Sequence, residues 1–188
     1  MKHVIALLFF CTIALLPLEA KLFDGMIVMK NGDTIQGQID VRVNLFDSDL
    51  VNPLTCKKSL KVVQASGEKI KYLPSEVQSF VIYNTKEGDM QFESQYIKKE
   101  NCFVQLIHDG PLKVYKYYFP HGYDSSVQHH YLLKSQEVHY LRLLPNKWRR
   151  QLVSYFPNSA LFKKEREARQ FRYHKILDLI KAYETSIS

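Results

Sequence analysis

Cysteine is scarce in this chain, with three residues among 188: Cys11, Cys56 and Cys102. So few exclude a disulfide scaffold and an all-cysteine metal site. There is no Asn-x-Ser/Thr sequon, no Gly-x-Ser-x-Gly elbow and no thiol-hydrolase cysteine signature, so these motifs do not mark the chain as an enzyme. Seven histidines are present, yet none stand three or four residues apart as helix-borne metal ligands do, and no metal or cofactor is expected. Long apolar runs are missing too. The longest uncharged stretch, Val4 to Leu18, has fifteen residues, whereas a spanning helix needs about 20. A mean hydropathy of −0.25 excludes a polytopic membrane protein. Internal repeats and low-complexity segments are absent.

Apolar residues make up 46% and charged residues 24%, ordinary values for a folded chain. Residues 1–20 read as a signal peptide: basic Met1-Lys2-His3, the uncharged run, then Leu18-Glu19-Ala20 as the cut. The expected address is therefore periplasmic or extracellular, for a secreted protein. Cleavage leaves Cys56 and Cys102. They could close a disulfide, worth about 4 kcal/mol by chain entropy, or stay as buried thiols.

Charge is informative once it is divided. Residues 21–140 carry 14 basic and 14 acidic side chains, whereas residues 141–188 carry 11 and 4, an excess of 7 that equals the net charge of the whole chain. This shift places a boundary at 144/145.

From Lys21 to Leu144 the pattern is one of short strands. Asn31-Gly32 lies between two apolar-containing runs and predicts a two-residue type I′ hairpin, with Val28 facing Ile35, at the first edge of a sheet. Asp47 to Pro53 reads as a loop. Further strands are expected at 59–64, 69–73, 80–83, 90–93, 103–107, 112–117, 131–133 and 138–141, joined by short turns. In the turn at 108–111, Gly110 is expected to supply a positive φ. Short connections with no intervening helix argue for an antiparallel β domain over residues 21–144, a partly open barrel or sandwich. After Pro145 the period becomes helical. Trp148, Leu152, Tyr155 and Phe156 form one stripe with Asn146 as N-cap, Pro157 ends it, and Ser159 caps a second helix. A third is expected from Phe171 to Tyr183. The fold class is thus α+β, with a basic helical extension over residues 145–188.

The hairpin KNGDTIQGQI (Lys30 to Ile39), the turn LPSEVQSF (Leu73 to Phe80), the strand pair around Asp109-Gly110 and the closing helices together resemble a group of uncharacterised exported proteins of Bacteroidetes-type bacteria. The resemblance implies an envelope address and no activity. The hairpin is also similar to the VxLKNGDxxxG opening of Sm-like RNA-binding barrels. The signal segment and the chain length oppose that reading, and no nucleic-acid partner is expected.

Three groups of residues are candidate sites. The aromatic run offers Tyr117, Tyr118, Tyr123 and Tyr131 as ring platforms for a ligand. The cations Lys147, Arg149, Arg150, Lys163 and Lys164 could meet an anionic membrane surface or an acidic envelope protein, and those in the first helical turn oppose the helix dipole. His121, Asp124, Ser125 and Ser126 share one loop, but nearness in sequence does not make a triad. The expected function is a non-catalytic binding or envelope-associated protein. The alternatives are a secreted hydrolase acting on glycan or peptide, and a structural subunit of an envelope assembly.

Overall fold

A computed structural model describes residues 20–44, 47–64, 66–135 and 140–187. The segment read as a signal peptide, up to residue 19, and residues 138 and 139 of the strand expected at 138–141 lie outside them. The described residues form eleven strands in one antiparallel sheet. They are β1 (Ala20–Met29), β2 (Thr34–Asn44), β3 (Asp47–Val51), β4 (Leu60–Val63), β5 (Lys69–Tyr72) and β6 (Val77–Thr85), followed by β7 (Gly88–Ile97), β8 (Glu100–His108), β9 (Lys113–Pro120), β10 (Val127–Lys134) and β11 (Leu141–Leu143). The spatial order is β11-β10-β9-β8-β7-β6-β1-β2-β4-β5, with β3 alongside β2. The sheet is open and not closed into a barrel. Three helices follow, α1 (Trp148–Tyr155), α2 (Ala160–Ala168) and α3 (Ile176–Ile187).

The first hairpin corrects the sequence reading twice. Ile27 pairs with Ile35 and Val28 with Thr34, one residue off the expected register. Gly32 alone takes a positive φ, 93°, and the Met29 N–H donates to Asp33 O at 2.8 Å, so Lys30-Asn31-Gly32 form a three-residue loop. A one-residue slip moves every side chain to the other face. Accordingly Phe23, Ile27, Ile39, Val41 and Val43 enter the core, and Met26 and Val28 do not. Nor is this ribbon an edge, because β1 lies between β2 and β6. The segment read as a loop at 47–53 contains β3, which pairs Val51 with Val43, and leads into a 3-10 turn at Pro53–Thr55 capped by Asn52.

One further turn departs from expectation, and another carries backbone detail that the sequence reading did not address. Gly110 does not adopt a positive φ; its role is space, since a Cβ there would sit 2.5 Å from His108 Nε2 and 2.6 Å from Glu184 Oε1. Between β7 and β8, Lys98 and Lys99 both take positive φ, 52° and 68°. The left-handed region costs a non-glycine residue about 1–2 kcal/mol, and Asn-Gly would fill such a turn with less strain.

Three apolar clusters hold the molecule. The first lies in the N-terminal half of the sheet, around Phe80, Phe92 and Phe103, with Phe80 stacked on Phe92 at 4.8 Å. The second is shared by the last strands and the helices: Val114, Leu133 and Leu143 against Trp148, Phe162 and Ile180. The helical extension therefore has a common core with the sheet. The third occupies the opposite face of β8–β10, around Val104, Tyr115 and Leu132. Ser159 caps α2 as expected, its Oγ accepting from Phe162 N at 3.2 Å. Asn146 does not cap α1. Instead the Gln151 side chain accepts from Leu144 N at 2.8 Å and donates to Arg142 O at 2.7 Å, tying the helix to the end of β11. On the expected stripe Trp148 and Leu152 are buried, whereas Tyr155 is 51% exposed.

Gly25 stands at the centre of the first cluster's sheet, where an added Cβ would lie 2.3 Å from Ile39 Cδ1 and 2.5 Å from Val81 O. Gly25→Ala should lower unfolding free energy by about 1–3 kcal/mol. Gly122→Ala, which meets nothing within 4 Å, should change it by less than about 0.5 kcal/mol. Urea denaturation of the two variants checks the contrast.

Candidate functional site

Strand alternation decides where the four tyrosines go. Tyr118 pairs with His129 and Tyr117 with His130 across β9 and β10, so the two tyrosines face opposite sides of the sheet. Tyr131 shares the side of Tyr118, and Tyr123 is 96% exposed in the loop between the strands. They do not form one ring platform. The two histidines likewise diverge: the His129 ring lies 5.0 Å from Tyr131 and 5.8 Å from Tyr118, whereas His130 packs 4.4 Å from Phe119 on the other face.

On the Tyr118 side the sheet forms a cleft of two cavities, of about 490 and 510 Å³, which share Glu87 and Lys116 in their walls. One is bounded by Asp178 of α3 and by His174 in the 3-10 turn before it, and includes Gln105 and Tyr131. The other is bounded by β3 and includes Tyr118, Ser125, Ser126 and His129. The Tyr118 hydroxyl donates to Gln105 Oε1, and burial pushes that phenol well above its ordinary range. Burial first, then the charges of Lys116 and His130, hold His129 down at about 4, so its imidazole is neutral near pH 7. The chain fragment KYYFP announces Lys116 only through alternation, which places a cation on the same side as Tyr118. Gln105 comes from β8 and Glu87 from the turn between β6 and β7, and neither carries a sequence signal.

The loop grouping of His121, Asp124, Ser125 and Ser126 is local turn chemistry. His121 Nδ1 bonds Asp124 Oδ1 at 3.0 Å, and the same oxygen accepts from Ser126 N at 3.0 Å. These hydrogen bonds hold that carboxyl below its ordinary range. The Ser126 hydroxyl accepts from Gln128 Nε2 at 3.4 Å, so these bonds describe a folded loop and no nucleophile–base pair. Ser66 and Lys69 have Ser-x-x-Lys spacing but flank the exposed turn before β5, where Lys69 Nζ pairs with Asp40 at 3.2 Å. Among the described residues there is no group of three or more His, Cys, Asp or Glu placed to hold a metal ion.

Of the two alternatives for Cys56 and Cys102 the structure has the second: both are buried free thiols. They belong to different clusters, Cys56 to the first and Cys102 to the third. Burial pushes Cys56 up to about 12 and Cys102 to about 11, so both are unreactive as nucleophiles.

The basic residues also divide. Lys147, Arg150, Lys163 and Lys164 are exposed, with no carboxylate within 4 Å among the described residues. Arg149 belongs to the interior. Its Nε pairs with the buried Glu165 at 2.9 Å, its guanidinium lies 4.2 Å from the Trp148 ring centroid, and Nη2 donates to Phe171 O. Comparison with family models, curated proteins and solved structures yields no match for this chain.

The depressed His129 gives a pH dependence with a definite sign. The unfolded chain takes up its proton near the ordinary 6.5 and the native state only near 4, so stability falls as pH drops through that window. Denaturation midpoints measured across it should decline in the wild type. In His129→Gln the decline should be smaller; an identical profile would show that the imidazole is not protected.

Proposed function

We infer that this chain is an exported, non-catalytic protein that works at an anionic envelope surface through its helical layer. The observation that carries this reading is the set of four exposed cations, Lys147, Arg150, Lys163 and Lys164, each without an acidic partner among the described residues, in the part of the chain that holds the whole net charge. Charges left free near an anionic lipid surface contribute about 1 kcal/mol each. Arg149, by contrast, is spent on the interior. The signal-like leader and the resemblance to exported proteins agree with that address.

A second reading, a secreted hydrolase acting on glycan or peptide, draws on the cavity wall that gathers Ser125, Ser126, His129 and Glu87. The neutral His129, with its pKa near 4, makes a weak base at neutral pH, which favours the binding reading. Treatment with a fluorophosphonate probe should leave both serines unlabelled. Labelling of either one that disappears in His129→Gln would establish the hydrolase.

Cosedimentation with phosphatidylglycerol vesicles tests the first reading. Lys147, Arg150, Lys163 and Lys164 changed together to Ala should weaken binding by at least about a hundredfold, and added salt should weaken the wild type in the same direction. Arg149→Ala breaks a buried pair and should cost about 3–5 kcal/mol of stability, so it serves as the structural control. Equal sedimentation of wild type and the fourfold variant would overturn the surface reading.

A further inference from the structure

The face of the sheet away from the cleft carries a second group of charges that the helical layer does not explain. Tyr117 and His130 are directly opposite each other on β9 and β10, and Arg142 on β11 is opposite Leu132, two residues along from His130 and on the same side. Two lysines reach this face from outside the strands. Lys57, from the turn after β3, donates from Nζ to the Tyr117 hydroxyl at 2.8 Å, with that nitrogen 4.0 Å from the ring centroid. Lys98, from the turn between β7 and β8, places its Nζ 5.7 Å from the centre of the same ring. Four chain segments thus bring three cations and an imidazole to the face that Tyr117 occupies, with Arg142 close enough to act on Lys98 and His130.

Among the described residues no carboxylate forms an ion pair with this group, and Glu100 attracts Lys98 only at longer range. None of Lys57, Lys98 and Arg142 has a carboxylate within 4 Å among those residues, and Glu100 is paired with Lys58 at 3.9 Å. The mutual repulsion is felt: burial, then Arg142 and Lys57, lower Lys98 against a smaller opposing pull from Glu100, and burial, then Arg142 and Lys98, lower His130. Moreover, His130 Nδ1 is buried without a hydrogen-bond partner, a state that costs free energy until something supplies one. Lys98 also sits in a strained turn, with Lys99 beside it in the same left-handed region. Strain of this kind persists where the strained residue has another use. Here the strained residue is one of the clustered charges.

We propose that Lys57, Lys98, Arg142 and His130 form a binding site for a phosphate-type oxyanion, seated over the edge of Tyr117. Such an anion supplies what the group lacks: negative charge between three cations, and acceptor oxygens for the ammonium, guanidinium and imidazolium donors. Its binding would favour the protonated form of His130 by adding negative charge beside the imidazole. The site lies on the sheet and does not depend on the helical cations, so it stands or falls separately from the surface reading above.

The turn itself supplies the test. Lys98→Asn with Lys99→Gly installs the residues this turn prefers while removing the charge, so the variant should gain about 2–4 °C in Tm yet lose affinity for inorganic phosphate by about tenfold. NMR titration of the full chain with inorganic phosphate at low ionic strength should show saturable shifts at His130 and Tyr117 in the wild type. Those shifts should be much reduced in the turn variant and in Arg142→Gln. Phosphatidylglycerol vesicles in place of phosphate separate the sources. The same His130 response assigns the site to a lipid headgroup, and a response to phosphate alone assigns it to a soluble oxyanion. Absence of a saturable shift in the wild type, or equal shifts in a turn variant that is folded and more stable, would overturn the proposal.

Discussion

The hydrogen bond from Phe103 N–H to Lys57 O, 2.9 Å long, fills the place where two halves of the sheet part company. β8 follows β9 only from Gln105↔Lys116 through His108↔Val114; beyond that point β8 stays with β7 and β9 stays with β10. The backbone donors of β8 at the opening need a partner, because buried N–H groups are not left unmatched. The Pro53–Lys57 turn provides one. By entering there it puts Cys56 into the first cluster and Lys57 over Tyr117, and the Tyr118 hydroxyl reaches Gln105 across the same gap. The cleft and the cation group thus border one interruption in strand pairing, seen from its two sides.

Much of the strand layout was legible because alternation and turn residues act locally. Register was not. Asn31-Gly32 predicts a two-residue turn, but Lys30 joins the loop and only Gly32 crosses to positive φ. Both loops suit the same dipeptide, and only the burial of Ile27 over Met26 distinguishes them. β3 was hidden for a different reason. Asp47-Ser48-Asp49-Leu50-Val51 carries two carboxylates, and they are held at the sheet margin by Lys86 and Lys21. The Lys98-Lys99 turn was invisible because the rule that finds such turns looks for residues that tolerate a left-handed backbone.

The sites were legible in proportion to how much of each lies on one strand. Period-two alternation correctly separates His129 from His130, and it should have separated Tyr117 from Tyr118 as well. The grouping of Lys57, Lys98 and Arg142 depends on three distant segments meeting, which no spacing encodes. The cation at position 149 is instructive in another way. A base in the first turn of a helix that has no acid there signals a compensating partner. That partner is Glu165 on the next helix, and the result is interior order, not a surface patch.

Glu165 also explains why the helical layer can present its remaining cations in fixed positions. Beyond Arg149 it accepts from the backbone of Gln170 at 3.0 Å and of Phe171 at 3.1 Å, so one carboxylate closes α2 and sets the course toward α3. Tyr173 then spans the sheet, accepting from Tyr131 N at 3.1 Å and donating to Leu143 O at 2.8 Å. At the far end Glu184 bonds His108 Nε2 at 2.6 Å and Leu112 N at 2.9 Å. Tyr173 and Glu184, together with Gln151 on α1, thus attach the helices to the sheet at separate points, in addition to the shared apolar core. Exposed charges on a loosely attached helix would lose orientational freedom on meeting a surface. Under the surface reading proposed above, that ordering is completed during folding, and Lys147, Arg150, Lys163 and Lys164 would act by electrostatics alone.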